Sequence, residues 1–255
     1  VSHPSWLSIG RISKTEILDI QTKLISCSLV FNHFYLMKNL LSLPLSVLLL
    51  YSCATQEETP DSLPIQVAKA YGIENFDQVN SIAFTWNVQR DSVNVLSRDW
   101  KWNIKERTVY YSGPDTTYTY SLDADSLPPA DASFVNDKYW LMMPFQLAWD
   151  TGYTFESKEN VPTPINGTNS TQLTILYAPG ESQSPGMGYT PGDAYDLYLD
   201  ENHKILEWTF RRGNGSSGRT WTWENEQQFG PITFALDHMG QDGNRFIWFT
   251  NVKVD

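Results

Sequence analysis

The hydrophobic period of the chain changes near residue 80. The segment PIQVAKAYG (residues 64–72) places Ile65, Ala68 and Tyr71 at helical spacing, with a proline in its first turn and a glycine at its end. From residue 81 onward the period is two. SIAFTWNV (81–88) and RDWKWNI (98–104) alternate apolar and polar side chains, the pattern of a half-buried strand. The sequence therefore predicts an N-terminal helix followed by strands.

Strand patterns continue to the end of the chain. They fall at residues 107–113, 116–122, 153–157, 171–178, 194–200, 204–210, 219–225, 230–239 and 245–254. The connections at 200–203 and 241–244 carry turn residues, and Asp242-Gly243 is a strong hairpin signal. Neighbouring strands joined by short turns, with few helices between them, predict an antiparallel sheet.

Residues 132–150 interrupt this pattern. They are apolar without alternation, and Tyr139, Met142 and Met143 fall at helical spacing, so we predict one short helix or two, broken by Pro144. About ten strands are too many for a flat sheet, which should twist and curl. The predicted fold class is α+β: a curled antiparallel sheet, an incomplete barrel, with an N-terminal helix and a helical insertion covering its concave face.

The segment MKNLLSLPLSVLLLYSC (37–53) has the features of an export signal. Lys38 is basic, and residues 40–50 are apolar apart from two serines but too short to span a bilayer. The order Leu50-Tyr51-Ser52-Cys53 resembles the bacterial lipobox, although Tyr51 is bulkier than usual. The resemblance implies that Cys53 receives a diacylglycerol, that the chain is cut before it, and that the new N-terminus takes an acyl chain such as palmitate.

This signal defines the expected domain organisation. Residues 1–36 have none of the features of an export signal. They are expected to be a misassigned upstream translation, with Met37 as the true start. Residues 37–52 are then the signal peptide, 53–63 an acidic tether, and 64–255 a single folded domain. The alternative is a buried helix with Cys53 as a core thiol, which Pro44 would break. The expected location is the cell envelope, at the outer membrane, on its periplasmic or surface face.

Charge narrows the set of partners. The chain has 18 basic and 29 acidic residues. Residues 1–52 carry four basic and two acidic side chains, so the 203 residues from Cys53 have 14 and 27, a net charge of −13. So acidic a body does not suit nucleic acid or a flat contact with anionic lipid. We expect membrane attachment only through N-terminal acyl chains, and a monomer.

Candidate catalytic and metal motifs are weak. Glycines at 213, 215 and 218 form G-x-G-x-x-G, but a strand follows rather than a helix, so a hairpin loop is the better interpretation. The mature part has two histidines, His203 and His238, without metal-binding spacing. The acidic pairs Asp196/Asp200 and Asp123/Asp125 suit solvated surface. We therefore predict no catalytic residues, metal or cofactor.

The lipobox, the N-terminal helix, the curled sheet and the helical insertion, in this order, resemble the LolA/LolB-like lipoprotein fold. NDKYWLMMPFQL (136–147) also resembles the helical piece of uncharacterised Gram-negative lipoproteins thought to share it. The resemblance makes residues 64–255 one LolA/LolB-like domain. It implies an incomplete barrel whose apolar concavity binds acyl chains.

The aromatic side chains are the candidate ligand contacts. Six tryptophans and two methionines are predicted to face the concavity: Trp86, Trp100, Trp102, Trp140, Trp208, Trp221, Met142 and Met143. The alternatives are a filled core, or an aromatic platform for sugar rings. The predicted function is a non-enzymatic lipoprotein that binds a lipid or acyl chain. The alternative is an interaction module contacting glycan or another envelope protein, for which the long loop 178–193 is the candidate.

Overall fold

The computed structural model describes residues 60–179 and 192–255. The predicted leader, Cys53, most of the acidic tether and most of the 178–193 loop lie outside the described residues. The predictions for those segments therefore stay predictions.

Two α-helices and twelve strands make up the described residues. The helices are α1 (Leu63–Ala70) and α2 (Ala130–Trp149), and short 3-10 turns cover Ile73–Gln78 and Arg212–Asn214. The strands are β1 (Ser81–Gln89), β2 (Val95–Asn103), β3 (Thr108–Ser112), β4 (Thr117–Ser121), β5 (Tyr153–Pro162), β6 (Asn169–Tyr177), β7 (Ala194–Leu199), β8 (Ile205–Arg211), β9 (Arg219–Thr222), β10 (Glu224–Phe229), β11 (Ile232–Met239) and β12 (Arg245–Val254).

The strands form two open antiparallel sheets. One has seven strands in the order β10-β11-β12-β1-β2-β3-β4, and the other has five in the order β5-β6-β7-β8-β9. A single bridge between Trp221 and Gly240 links β9 to the end of β11, and Met239 N donates to Thr222 Oγ1 at 3.0 Å. The α+β antiparallel class is confirmed, with twelve strands in two sheets where about ten in one sheet were expected.

The strand that the sequence pattern missed is β10. Its residues, ENEQQF, have no apolar alternation, because β10 is an edge strand with almost every side chain exposed. Pairing with β11 defines it instead, with Gln227 opposite Phe234 and Phe229 opposite Ile232. Backbone hydrogen bonds to a neighbour can hold an edge strand whose own side chains carry no strand signal.

Helix α2 forms the centre of the core and packs against both sheets. Phe134 lies 5.4 Å from Trp100 of β2, and Tyr139 lies 5.4 Å from Tyr195 of β7, measured between ring centroids. The helix bends at Met142, whose φ of −119° is not helical, two residues before Pro144. Pro144 has no N–H to donate to the preceding turn, which accounts for the bend. The helix continues beyond it, so the predicted break is a kink within one helix. Within residues 60–179 and 192–255, neither helix has the length and apolarity needed to cross a membrane.

Helix α1 ends at a close approach between two backbones. Gly72, with a φ of 96°, follows its last turn, as helix-ending glycines commonly do. Beside it, Thr233 N donates to the Tyr71 carbonyl at 3.0 Å, which ties the end of α1 to β11. The helix end is therefore fixed by a tertiary contact as well as by the local sequence.

Candidate ligand-binding groove

An open groove of about 690 Å³ lies beside the kinked helix, where β1, β2 and β12 of the seven-stranded sheet come near the β8–β9 hairpin. Period-two alternation places Trp86 and Val88 on the same face of β1, toward this groove. The apolar lining consists of Trp86, Val88, Trp140, Phe210, Trp221, Phe246 and Ile247. Small-molecule sites in proteins have ~300–1,000 Å³, so the groove has the size of a ligand site.

Trp140 is the central aromatic contact of the groove. Its ring centroid lies 4.7 Å from Trp208 and 4.9 Å from Trp221, both edge-on, and 6.1 Å from Phe246. Trp140 is only half-buried, whereas Trp208 is 2% exposed. The ring therefore forms part of the boundary between the open groove and the core.

A small recess adjoins the groove on the core side of Trp140. It has about 90 Å³ and is lined by Tyr139, Tyr195 and Trp208, together with four residues that also line the groove: Asn136, Trp140, Phe210 and Trp221. The volume corresponds to about three water molecules. The four shared residues place the recess directly beside the groove.

Indole N–H groups near the groove lack acceptors. Among the described residues, the buried Nε1 atoms of Trp86, Trp208 and Trp223 have no hydrogen-bond partner. Buried donors normally have one, and leaving one unmet costs roughly 1–3 kcal/mol. Trp86 lines the groove and Trp208 lines the recess. The walls of these spaces therefore contain indole N–H groups without a protein acceptor.

Arginines form the polar part of the groove. Arg90, Arg98, Arg212 and Arg219 line it, and no aspartate or glutamate does. Arg219 extends over aromatic rings of the wall, with its guanidinium carbon 5.6 Å from the Trp221 centroid and 5.9 Å from that of Phe246. Positive charge and apolar surface therefore meet in the same space.

A buried carboxylate orients Arg98. Arg98 Nε and Nη2 donate to Asp137 at 2.7 and 2.6 Å, and Trp100 Nε1 donates to the same carboxylate at 2.9 Å. Burial raises the pKa of Asp137, and the Arg98 guanidinium opposes that rise. The guanidinium also stacks over Trp86 at 4.2 Å, so its position is fixed from two sides.

The predicted ligand contacts separate into two groups. Trp86, Trp140 and Trp221 line the groove, and Trp208 lines the recess. Trp100, Trp102, Met142 and Met143 are buried in the hydrophobic core, with Trp102 packed on Phe76 and Phe134. The first group borders these two spaces, although its Trp86, Trp208 and Trp221 are nearly as deeply buried as the second group. For both groups a ligand-binding role stays a prediction.

The sequence analysis missed the arginines. They lie far apart in the chain, on β2, in the turn after β1 and around the β8–β9 hairpin, and strand pairing brings them together. The one available signal is that arginines are few in this acidic chain, eight against 29 acidic residues. Four of the eight belong to the groove. Pattern alone does not show that they meet.

The other candidate chemical groups have structural roles. The expectation of solvated surface is wrong for Asp196, which is buried and accepts hydrogen bonds from Arg211 Nε at 2.7 Å and Thr174 Oγ1 at 2.7 Å. Asp200 accepts from the N–H groups of its own turn. Burial lowers the pKa of His238 to about 4, and its Nδ1 donates to the Thr222 carbonyl at 3.1 Å. Within the part of the chain that the structure describes, no group of three or more His, Cys, Asp or Glu could hold a metal ion.

Gly213 and Gly218 confirm the hairpin-loop interpretation of the glycine motif. Gly213 lies in the 3-10 turn between β8 and β9, with a φ of 56°, and β9 follows. A dinucleotide-binding glycine loop opens a helix instead. The loop supplies Arg212 and Arg219 to the groove, one at each end.

The fold and the groove define an α+β protein with two open antiparallel sheets around a kinked helix. No protein-family model and no curated protein matches the chain. Two solved structures are distantly similar. A DUF1329 family protein from Desulfovibrio piger is 10% identical, covering 77% of this chain and 94% of that one, with a TM-score of 0.40. A LolA superfamily protein from Nitrosomonas europaea is 9% identical, covering 76% and 94%, with a TM-score of 0.37. These scores are too low to support an argument about function, so the fold class rests on the strand pairing itself.

Proposed function

We propose that this protein binds the acyl chain of a lipid-like ligand in the groove and acts as a non-enzymatic, lipid-anchored protein of the cell envelope. The observation that carries the proposal is the open groove of about 690 Å³, whose apolar wall includes three tryptophans and two phenylalanines. An extended apolar chain gains its binding energy from non-directional burial, which such a wall supplies.

The polar groups around the groove support binding better than catalysis. The carboxylate nearest the groove, Asp137, is fully occupied by Arg98 and Trp100. The buried His238 contacts Trp140 and Trp223 rings, at 5.5 and 4.4 Å, and donates to a backbone carbonyl. A general base needs its acceptor atom within reach of a substrate proton. The Asp137 carboxylate is occupied, and His238 is fully buried and lines neither the groove nor the recess.

Fluorescence quenching tests the proposal. Bromine quenches tryptophan only at short range, so a dibrominated stearate added to the full chain carrying Cys53→Ala should quench the groove tryptophans. Trp140→Phe should lower the quenched fraction, because Trp140 is the half-buried ring at the centre of the groove. Trp149→Phe is the matched control: it removes a half-buried tryptophan from the same helix, but one packed on Phe76.

The outcome is decisive in either direction. Quenching that saturates with ligand, and that falls in Trp140→Phe more than in Trp149→Phe, supports the groove as the site. If brominated stearate at saturating concentration leaves the emission unchanged, chain binding is wrong and the interaction-module alternative takes its place.

The anchor is a separate part of the proposal and rests on the Leu50-Tyr51-Ser52-Cys53 order. Expressed from Met37 in a Gram-negative host, the protein should partition with membranes, because two or more acyl chains hold firmly where one does not. Cys53→Ala should move it to the soluble fraction and abolish cleavage before residue 53, measured by intact mass. Unchanged processing and partitioning of Cys53→Ala would refute the lipoprotein assignment.

A further inference from the structure

We propose that the ligand of the groove is an anionic amphiphile, whose carboxylate or phosphate head group binds to the groove arginines while its chain lies against the aromatic wall. This inference rests on the proposed function, and it adds the chemical class of the ligand.

The first argument is the concentration of positive charge in an acidic protein. The chain has a formal net charge of −11, yet four of its eight arginines line one groove that has no acidic lining residue. Like charges placed together repel one another, and a cleft of one sign concentrates ions of the opposite sign. A bound anion would relieve this repulsion.

The second argument is that, in the described part of the chain, three of these arginines have no carboxylate partner; only Arg98 is paired, with Asp137. Within residues 60–179 and 192–255, no carboxylate forms an ion pair with Arg90, Arg212 or Arg219, whereas Arg107, Arg211 and Arg245 each have one. Arg90, Arg212 and Arg219 are also exposed. Their guanidinium groups are therefore accessible to an anion from solution.

The third argument is the fixed position of Arg98. Asp137 uses Nε and Nη2, and Trp86 holds the plane of the guanidinium. Nη1 and the second N–H of Nη2 are not used by Asp137, so the guanidinium can still donate to a ligand at the groove. A preorganised guanidinium loses less conformational entropy when it binds a carboxylate or phosphate oxygen.

Acidic residues in a neighbouring cleft favour the groove as the place where an anionic head group binds. A neighbouring cleft shares Arg90, Arg219 and Trp221 with the groove, but it also contains Asp91 and Asp242. Asp91 accepts from the Val93 and Asn94 N–H groups, and Asp242 accepts from that of Asn244, so both hold turns. The groove, lined by Arg98, Arg212 and Arg219, has no such carboxylate in its lining.

Apolar and charged contacts are close enough for one molecule to make both. Arg219 lies over the rings of Trp221 and Phe246, and Arg98 lies over Trp86. An anion held by these arginines would begin its chain at the aromatic wall. This arrangement favours an amphiphile over a free inorganic ion, which would not use the wall.

The test compares head groups on one chain. Oleate, methyl oleate and oleyl phosphate are titrated into the full chain carrying Cys53→Ala, with inorganic phosphate as the probe without a chain. Oleate or oleyl phosphate should bind on the order of tenfold to a hundredfold more tightly than the neutral ester, since each charge-assisted hydrogen bond contributes roughly 1.5–3 kcal/mol. The tighter of the two anions identifies the source, a fatty acid or a phosphate head group.

A double variant locates the head-group site. Arg212→Gln with Arg219→Gln should remove most of the preference for the anion over the ester; both residues are exposed, so the fold should tolerate the change. Lys105→Gln with Lys253→Gln, both exposed and outside the groove lining, removes the same charge as a control. It should leave the preference intact.

The two proposals fail differently. If the ester binds as tightly as both anions, or if the arginine and lysine double variants lose the preference equally, the head-group inference is overturned while chain binding stands. If inorganic phosphate binds as tightly as oleyl phosphate, or if no chain-bearing probe binds, the proposed function itself fails.

Discussion

Asp137→Ala should lower the free energy of unfolding by about 3–5 kcal/mol, the range seen when one partner of a buried ion pair is removed. Asp137 is completely buried, and the Arg98 side chain is only 14% exposed. The variant leaves the guanidinium without its carboxylate and the Trp100 N–H without its acceptor. Both losses act in a low-dielectric environment, where an unpaired charge is poorly solvated.

An exposed pair provides the control. Arg107 Nε lies 2.7 Å from Asp123 Oδ1, nearly the same separation, but the Asp123 side chain is 62% exposed. Asp123→Ala should cost about 0–1 kcal/mol, as exposed ion pairs do. Equilibrium urea unfolding of the full chain measures both. Equal losses in the two variants would mean that burial adds nothing to the Arg98–Asp137 interaction.

Gly72→Ala should lower the free energy of unfolding by about 2–5 kcal/mol, adding a backbone conformational cost of ~1–2 kcal/mol to an overpacking cost of ~1–3 kcal/mol. The φ of Gly72 is 96°, and a β-carbon there would lie 2.4 Å from the Pro231 carbonyl oxygen and 3.2 Å from Ile232 Cα. The obstructing atoms belong to the backbone, so no side-chain rotation can relieve the contact.

Gly167 separates the two costs. It also has a positive φ, 68°, but a β-carbon there would meet nothing within 4 Å. Gly167→Ala should therefore cost only the conformational part, about 1–2 kcal/mol. If both variants lose the same stability in urea unfolding, the approach of Pro231 to Gly72 is not a close contact in solution.

The groove gives a physical reason why the aromatic residues were difficult to assign from sequence. Trp100 and Trp86 both occupy alternating strand positions, and both are nearly fully buried. Trp100 packs on Phe134 of the helix and donates to Asp137, whereas Trp86 lies beneath Arg98 at the groove. Alternation identifies the face of a strand, but not what covers that face.

The sequence by itself determined the local elements and the fold class. Alternation predicted eleven of the twelve strands, in one case as the start of a longer segment, and helical spacing predicted α1 and α2. These strand and helix predictions succeed because hydrophobic periodicity and turn-forming residues act over a few positions of the chain. The missed strand, β10, has no such pattern and exists through its hydrogen bonds to β11.

The positions of the charged groups at the groove follow from the tertiary structure and not from the local sequence. One groove is lined by Arg90, Arg98, Arg212 and Arg219 because the end of β1 and its neighbour β2 come near the β8–β9 hairpin. Asp137 fixes Arg98 from a helix 39 positions away in the chain. Interactions at such separations depend on which strands pair and how the sheets pack, and no local pattern encodes that choice.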